Sequence, residues 1–500
     1  MSASREKKKR QEQGTAEVVS APETKKGMSK TAKKVLYSVV AIVLVAAIVF
    51  LGMVSSGFFT THTTAGIANG HKLTPAMLNY HYASAYQEMS SLLSYMVDTE
   101  LPLDEQEYMT EDFETWHDYL LDFALNSAAS TYAIYDEAVA NGYELSESTK
   151  ASLDSEAQML ELYAGMSGYS SADAYVAAMY GTGCDVDNYL EFATISYTAQ
   201  EYASHVYSEL AFSQEEIDAY YAENAGDFDS VSFYQFNLTG DHEGHDHEAS
   251  DISDEELAQL EEAAKAMAEE SQGNEEKFLD LCLQNTPAED QEGYDAASTL
   301  RSDIAENDLS EELRAWLADD ARQTGDTTYM SNGANGFYVL YFVERVDHNY
   351  QLPNVRHILI GVDDAADTAA MEEAKAAAEA LLAEFQAGEA TEDAFAALAT
   401  EKTEDTGSAA NGGLYENIAP GSMVANFDAW CFDEARQVGD TGIVESNYGY
   451  HVMYFSGYGE NYHDYLVETE MINNAYTEWQ TEVTADLTWE LVSDKYVTVR

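Results

Sequence analysis

Two stretches of this 500-residue chain repeat one another, and no other feature limits its possible architectures as much. Residues 315–327 read AWLADDARQTGDT and residues 429–441 read AWCFDEARQVGDT; GFYVLYF follows the first at 336–342 and GYHVMYF the second at 449–455. The spacing from GDT to the closing run differs by a single residue between the copies. Self-similarity over a long period means one folding unit used twice. Each unit opens on a short apolar run, VSFYQFNL at 231–238 or NVRHILI at 354–360, and continues into a helical stretch, 254–271 or 368–387. Apolar runs at both ends with helices between them predict a compact α+β domain with a few-stranded sheet. DHNYQLPN, with Pro353, reads as a linker between the copies.

The net charge is −67, from 91 acidic and 24 basic residues, which excludes nucleic acid as a partner. Three cysteines, Cys184, Cys282 and Cys431, stand far apart without CxxC spacing, which excludes a disulfide framework and a zinc ribbon. The charge is unevenly spread. Residues 1–34 carry ten of the 24 Lys and Arg against four Glu, and the 25 residues that follow, Val35 to Phe59, carry none. A helix needs ~20 apolar residues to cross a bilayer, whereas the apolar part of a cleaved leader runs ~7–15. The expectation is a basic cytoplasmic tail at 1–34, a single transmembrane helix at 35–59, and an extracytoplasmic remainder, by the positive-inside rule. A cleaved signal peptide ending near Val54-Ser55-Ser56 is the alternative.

Residues 66–226 read as an α-helical domain rich in Tyr and Met. Asn69-Gly70 marks a turn, Thr74 before Pro75 an N-cap with proline at the first helical position, and Ser213 with Glu216 a capping box. Breaks fall at Pro102, Asn141-Gly142, Gly168 and Gly181-Thr182-Gly183. Tyr and Met also make adaptable surfaces for unfolded chains. Residues 460–500 form an amphipathic helix and a strand-like tail, SDKYVTVR, too short for a domain, and we expect the helix to pack on the helical domain and complete it.

Over residues 353–458 the second copy resembles the parvulin family of peptidyl-prolyl isomerases, also called PpiC or rotamase. RHIL at 356–359 is similar to the family's opening strand, TEDTGSAANGG at 403–413 to its Asp and Gly-Gly loop, GSMVANFDAWCF at 421–432 to its Met and Phe helix, and GYHVMYF to its closing strand. The resemblance implies His357, Asp405 and His451 as catalytic residues, with Thr406 the alternative to Asp405, and Met423, Phe427 and Tyr415 as the substrate pocket. Where the family has GGDLGWF this chain has GGLYENI, a change at the pocket rim. The first copy, 230–347, has Gln235 and Tyr338 at the two histidine places and no recognisable Gly-Gly loop or Met and Phe pocket, so it reads as a degenerate parvulin-like domain. The order of anchor, helical domain, two parvulin-like modules and terminal helix is similar to extracytoplasmic foldases of the SurA and PrsA type.

That resemblance implies an α+β multidomain foldase, held in the membrane, that binds unfolded exported polypeptides and isomerises their X–Pro bonds without a cofactor. Rotation about an X–Pro bond crosses ~18–20 kcal/mol because it destroys amide resonance. A pocket that grips the proline ring while polar groups meet the changing amide lowers that barrier without a covalent intermediate. A non-catalytic holdase with decayed parvulin domains is the alternative, and a purely structural, hydrogen-bonded pair is the alternative for His357 and His451. DHEGHDHE at 241–248 gathers His242, His245 and His247 with four carboxylates; it reads as a solvated acidic loop, with divalent-metal binding as the alternative.

Overall fold

The structure, a computed structural model, describes residues 30–55, 57–98, 100–239, 253–287, 291, 294–333 and 335–498. The segment 1–29 and the loop bearing His242, His245 and His247 lie outside the described residues. Two compact units divide the chain, Met1–Val206 with Gln480–Arg500 and Tyr207–Trp479.

The first unit is helical. It begins with α1 (Lys30–Ser55), whose Tyr37–Ser55 stretch of 19 residues is long and apolar enough to cross a membrane and has no part buried. The apolar helix stops short of the expected Phe59. Gly57 turns the chain with a left-handed φ of 71°, and a Cβ there would lie 2.8 Å from the Cα of Gly183, so Phe58–His62 forms a separate turn of helix, α2. A hairpin follows, β1 (Gly66–Ala68) against β2 (His71–Leu73), turning through Asn69 and Gly70 at positive φ of 46° and 81°. The expected turn therefore sits in a small sheet rather than among helices. α3 (Pro75–Glu88) starts where Thr74 accepts a hydrogen bond from the Met77 N–H. α4 (Ser90–Met96), α5 (Trp116–Ala140), α6 (Glu147–Met166), α7 (Ala172–Tyr180) and α8 (Val186–Glu209) follow, around a core that includes Leu78, Tyr80, Leu120, Leu121 and Leu125.

The second unit contains α9 (Gln214–Asn224), opened by the Ser213–Glu216 capping box, and two modules of like build. One runs β3 (Ser230–Thr239), α10 (Asp254–Ser271), α11 (Glu275–Asn285), β4 (Leu300–Ala305), α12 (Glu311–Leu317), β5 (Thr327–Ser331), β6 (Gly336–Val346). The other runs β7 (Gln351–Gly361), α13 (Thr368–Ala387), α14 (Glu392–Lys402), β8 (Leu414–Tyr415), α15 (Ala425–Cys431), β9 (Thr441–Ser446), β10 (Gly449–Asn461). Their sheets are ordered β4-β3-β6-β5 and β8-β7-β10-β9, the same pattern twice. Both central pairs are antiparallel, and both bulge at the same point, with Val343 or Ser456 as the extra residue.

The repeated motif has a physical cause in this arrangement. Arg322 Nε donates to the Trp316 carbonyl at 3.0 Å and its guanidinium lies 4.0 Å from the Trp316 ring; Arg436 does the same to Trp430 at 3.2 and 4.1 Å. The Gly-Asp that follows pairs with the central strand: the Gly325 N–H donates to the Phe342 carbonyl and the Phe342 N–H to the Asp326 carbonyl, and Gly439, Phe455 and Asp440 repeat the pattern. Each copy of the motif is thus a clip that seats a short helix on the sheet.

Pro353 does not lie in a linker. Leu352 and Pro353 are buried within β7, and the Pro353 carbonyl accepts from the Ile418 N–H at 3.1 Å. Proline is tolerated there because the ladder with β10 shifts register beyond Tyr458. α16 (Tyr462–Val483) lays Val467 and Met471 against Ile217 and Phe228. Residues 207–226, expected with the helical domain, accordingly fall in the second unit with most of α16.

Only the end of the chain belongs to the first unit. β11 (Trp489–Leu491) pairs antiparallel with β1, Val497 is buried in the helical core, and the Thr498 N–H donates to Asn79 Oδ1 at 2.8 Å. The strand therefore precedes SDKYVTVR, whose Asp494–Val497 turn carries Val497 inward instead of extending. Ending the chain at Leu487 should strip hydrogen-exchange protection from β1 and α3 while β7 and β10 keep theirs, because burying a valine side chain contributes ~1.5–3 kcal/mol on its own. Exchange measured by mass spectrometry on the truncated and full chains checks this.

Candidate active site

The site is built on the pairing of β7 and β10. In that register Met453 faces His357 and Leu359 faces His451, so the two histidines are diagonal neighbours on one face of the sheet. Their Nδ1 atoms are 3.1 Å apart and their rings stack at 5.3 Å. After α14 the chain runs beside β7: Glu404 N–H donates to the Leu359 carbonyl at 3.0 Å, and the His357 N–H to the Gly413 carbonyl at 2.8 Å. Gly413 has φ of +73°, and a Cβ on it would sit 2.2 Å from the His357 carbonyl oxygen. Only glycine fits there. Arg356 pins the same loop through bonds to the Asn411 and Gly412 carbonyls at 2.8 and 3.0 Å, and to Glu392 at 2.9 Å.

The loop delivers Asp405 to His357. Asp405 Oδ2 accepts from His357 Nε2 at 2.9 Å, from the Tyr415 hydroxyl at 3.0 Å and from the Ser408 hydroxyl, and Oδ1 from the Gly407 N–H at 3.2 Å. Burial pushes the carboxyl up, but these hydrogen bonds outweigh it and hold Asp405 below the ordinary carboxylate range. Burial lowers His357 in spite of Asp405, and burial together with His357 pushes His451 down to about 4. Near neutral pH the site holds one carboxylate and two uncharged imidazoles. With both rings neutral, a single chain of donors satisfies every contact: Ser446 hydroxyl to His451 Nε2 at 2.8 Å, His451 Nδ1–H to His357 Nδ1, His357 Nε2–H to Asp405.

Beside this chain stands an apolar wall. Phe427 of α15 is buried and meets both histidine rings edge-on, at 5.4 and 5.3 Å. Met423 and Tyr415, half-buried, pack on the same cluster with Val355, Ile418, Val444 and Met453. Cys431 lies beneath it, its thiol pushed up to about 12 by burial, so it packs and offers no nucleophile. The structure thus brings all six residues of the sequence-based expectation together, and it is Asp405, not the exposed Thr406, that meets His357. Two contributors were missed. Ser408 follows Asp405 by three residues in the loop, a spacing that signals a shared turn; Ser446 sits in an ordinary hairpin turn and has no sequence signal. Among the described residues no group of three His, Cys, Asp or Glu side chains is placed to hold a metal ion.

Residues 338–456 match the family model of the PPIC-type PPIase domain. This segment belongs to that family. The chain is also 33% identical over 133 residues to the chaperone SurA of Pseudomonas fluorescens, covering 26% of this chain and 29% of that protein. It is 35% identical over 99 residues to foldase protein PrsA 1 of Listeria innocua, covering 20% of this chain and 28% of that one. The matches therefore span under a third of either relative. The crystal structure of PrsA from Bacillus subtilis is similar at 12% identity with a TM-score of 0.26, covering 77% of this chain and 92% of that chain.

In the first module the places of His357 and His451 are taken by Gln235, opposite Leu340, and by Tyr338. Counting back from the shared Ala-Trp, Leu309 and Leu313 stand where the PPIC-type domain has Met423 and Phe427. They pack with Val231, Phe233, Leu317 and Leu340 into an apolar cluster.

The depressed imidazoles make the PPIC-type domain acid-sensitive. His451 binds its proton more weakly folded than unfolded, so its contribution is complete above the ordinary value of 6.5 and is lost as pH falls toward about 4. The expected loss is about 3 kcal/mol at most. Calorimetry between these pH values should show a falling melting temperature, and His451→Asn should flatten that fall.

Proposed function

We propose that this chain is a membrane-anchored extracytoplasmic foldase that binds unfolded exported polypeptides and isomerises their X–Pro bonds at the second module. The observation that carries the reading is the donor chain Ser446–His451–His357–Asp405 set against Phe427 and Met423 inside a PPIC-type domain. Phe427, Met423 and Tyr415 hold the pyrrolidine ring. A planar amide carries partial negative charge on its carbonyl oxygen and keeps its nitrogen lone pair delocalised; twisting it removes both. A dry wall denies that oxygen its water, and a fixed carboxylate nearby repels it, so the planar forms lose more than the twisted one. Asp405 is the catalytic group in this scheme. His357 and His451 are positioning residues that keep its charge in place, and being neutral they offer no positive charge to restore the planar form. The altered rim serves the same end, since Tyr415 in GGLYENI donates its hydroxyl to Asp405.

The first module is read as non-catalytic, supported by Gln235 and Tyr338 in place of the two histidines and by Leu309 and Leu313 in place of Met423 and Phe427. Asp405→Ala should reduce kcat/KM for an X–Pro peptide at least about tenfold, equivalent to ~1.4 kcal/mol of transition-state stabilisation, whereas Tyr338→Ala should leave it unchanged. Phe427→Ala should do the same as Asp405→Ala, once circular dichroism has shown that the variant folds, since removing a buried Phe costs ~3–5 kcal/mol. Turnover by the unaltered chain no faster than background, with suppression of client aggregation intact, would leave a holdase.

The anchor reading rests on the 19-residue apolar stretch of α1 and on the basic residues before it. Protease added to intact cells should digest the region after Thr60 and spare residues 1–34 with the membrane. A soluble product beginning near Ser56 would mean a cleaved leader instead.

A further inference from the structure

α6 has two apolar faces, and only one of them is covered. Leu160 and Ala164 are buried, Leu160 within the first unit's core. Met159, Leu162, Tyr163 and Met166 recur at i, i+3, i+4 and i+7, the spacing of a single helical stripe, yet they are between 39% and 76% exposed. Tyr169, just past the helix, extends the stripe and is 41% exposed. Scattered exposed apolar residues need no explanation, but a stripe in register on one helix does. Two of its four helical members are methionines, whose unbranched thioethers repack around differing shapes.

The charge around this stripe selects what can lie on it. From Leu73 to Val206 the first unit has twenty-three Asp and Glu residues, no Arg and one Lys. That lysine, Lys150, is already paired with Glu147 at 2.8 Å. A face so free of cations repels acidic segments and draws basic ones. A second copy of the chain brings the same anionic surface and is repelled in turn.

We propose that the Met159–Met166 stripe of α6 is the docking surface for unfolded client segments that combine apolar side chains with Lys or Arg, and that the anionic domain around it selects against acidic segments. The inference rests on the foldase reading and names the partner class of its helical unit. It places client selection on the helical unit, apart from the proline pocket of the PPIC-type domain.

The test uses the full chain in zwitterionic lipid nanodiscs and two fluorescent, proline-free peptides with the same Leu and Phe residues, one interspersed with Lys and the other with Glu. The Lys peptide should bind at least about tenfold more tightly, and the gap should narrow as salt rises, since exposed charges are screened. The combined substitution Met159→Gln, Leu162→Gln, Met166→Gln changes only exposed positions to a good helix former. It should weaken the Lys peptide at least about fivefold and leave turnover of a short X–Pro peptide unchanged. Equal binding by the substituted chain would place the docking surface elsewhere, and equal binding of the Glu peptide would remove the charge selection. Dissociation of a dimer upon substitution would make a second copy the occupant and overturn the proposal. If the unaltered chain binds neither peptide and fails to delay aggregation of an unfolded client, the foldase reading itself falls.

Discussion

The pairing of β7 with β10 governs everything between residues 351 and 461. Side chains alternate across a strand, so a slip of one residue would send His357 or His451 to the helix-covered face and break the donor chain. The register is held from both sides. Gly449 passes so close to the Ile360 carbonyl that a Cβ would lie 2.1 Å from it, and Gly413 passes as closely to His357. The same pairing, with the same bulge, organises β3 and β6, which is why the first module has the same shape without either histidine of the site. Architecture here depends on backbone register and on the Arg–Trp clip. Chemistry depends on a handful of side chains laid over them.

Electrostatically the site is simple. One carboxylate is kept ionised by three side-chain donors, and two imidazoles are kept neutral by burial. Amide rotation moves no proton, so a site for it has no use for a group poised to titrate near neutral pH. What it requires is a fixed charge and a dry wall, and the depressed values of Asp405, His357 and His451 all point that way.

Much of this was legible in the sequence because it is written in local, repeated terms. The two motifs revealed two units, and the resemblance of the Gly-Gly loop and of the Met423 and Phe427 helix to the parvulin family named residues that the fold brings to one place. What was not legible depends on contacts distant in sequence. β1, β2 and β11 are three residues each, too short for an alternating pattern, and β11 becomes a strand only by pairing with β1, which is far from it in sequence. Pro353 looked like punctuation because a proline usually is, yet its carbonyl is used and its missing N–H falls where the ladder is already irregular. Leu309 and Leu313 in the first module match the second by position and not by residue type, so no motif marked them.

The pairing of Ala68 with Trp489 joins residues separated by roughly 420 positions, and closing a flexible loop of that length carries an entropy penalty that grows with the logarithm of its size. A chain made from its amino end cannot form β11 until Trp489–Leu491 has been made. The α+β modules, whose strand pairings all lie within residues 230–461, can close before then and shorten the loop as each one collapses. The helical unit is therefore begun first and finished last, and for the whole interval of synthesis its Gly66–Ala68 edge and the hydrophobic seat of Val497 stand open, so this chain is for a time in the same condition as the unfolded polypeptides it is proposed to receive.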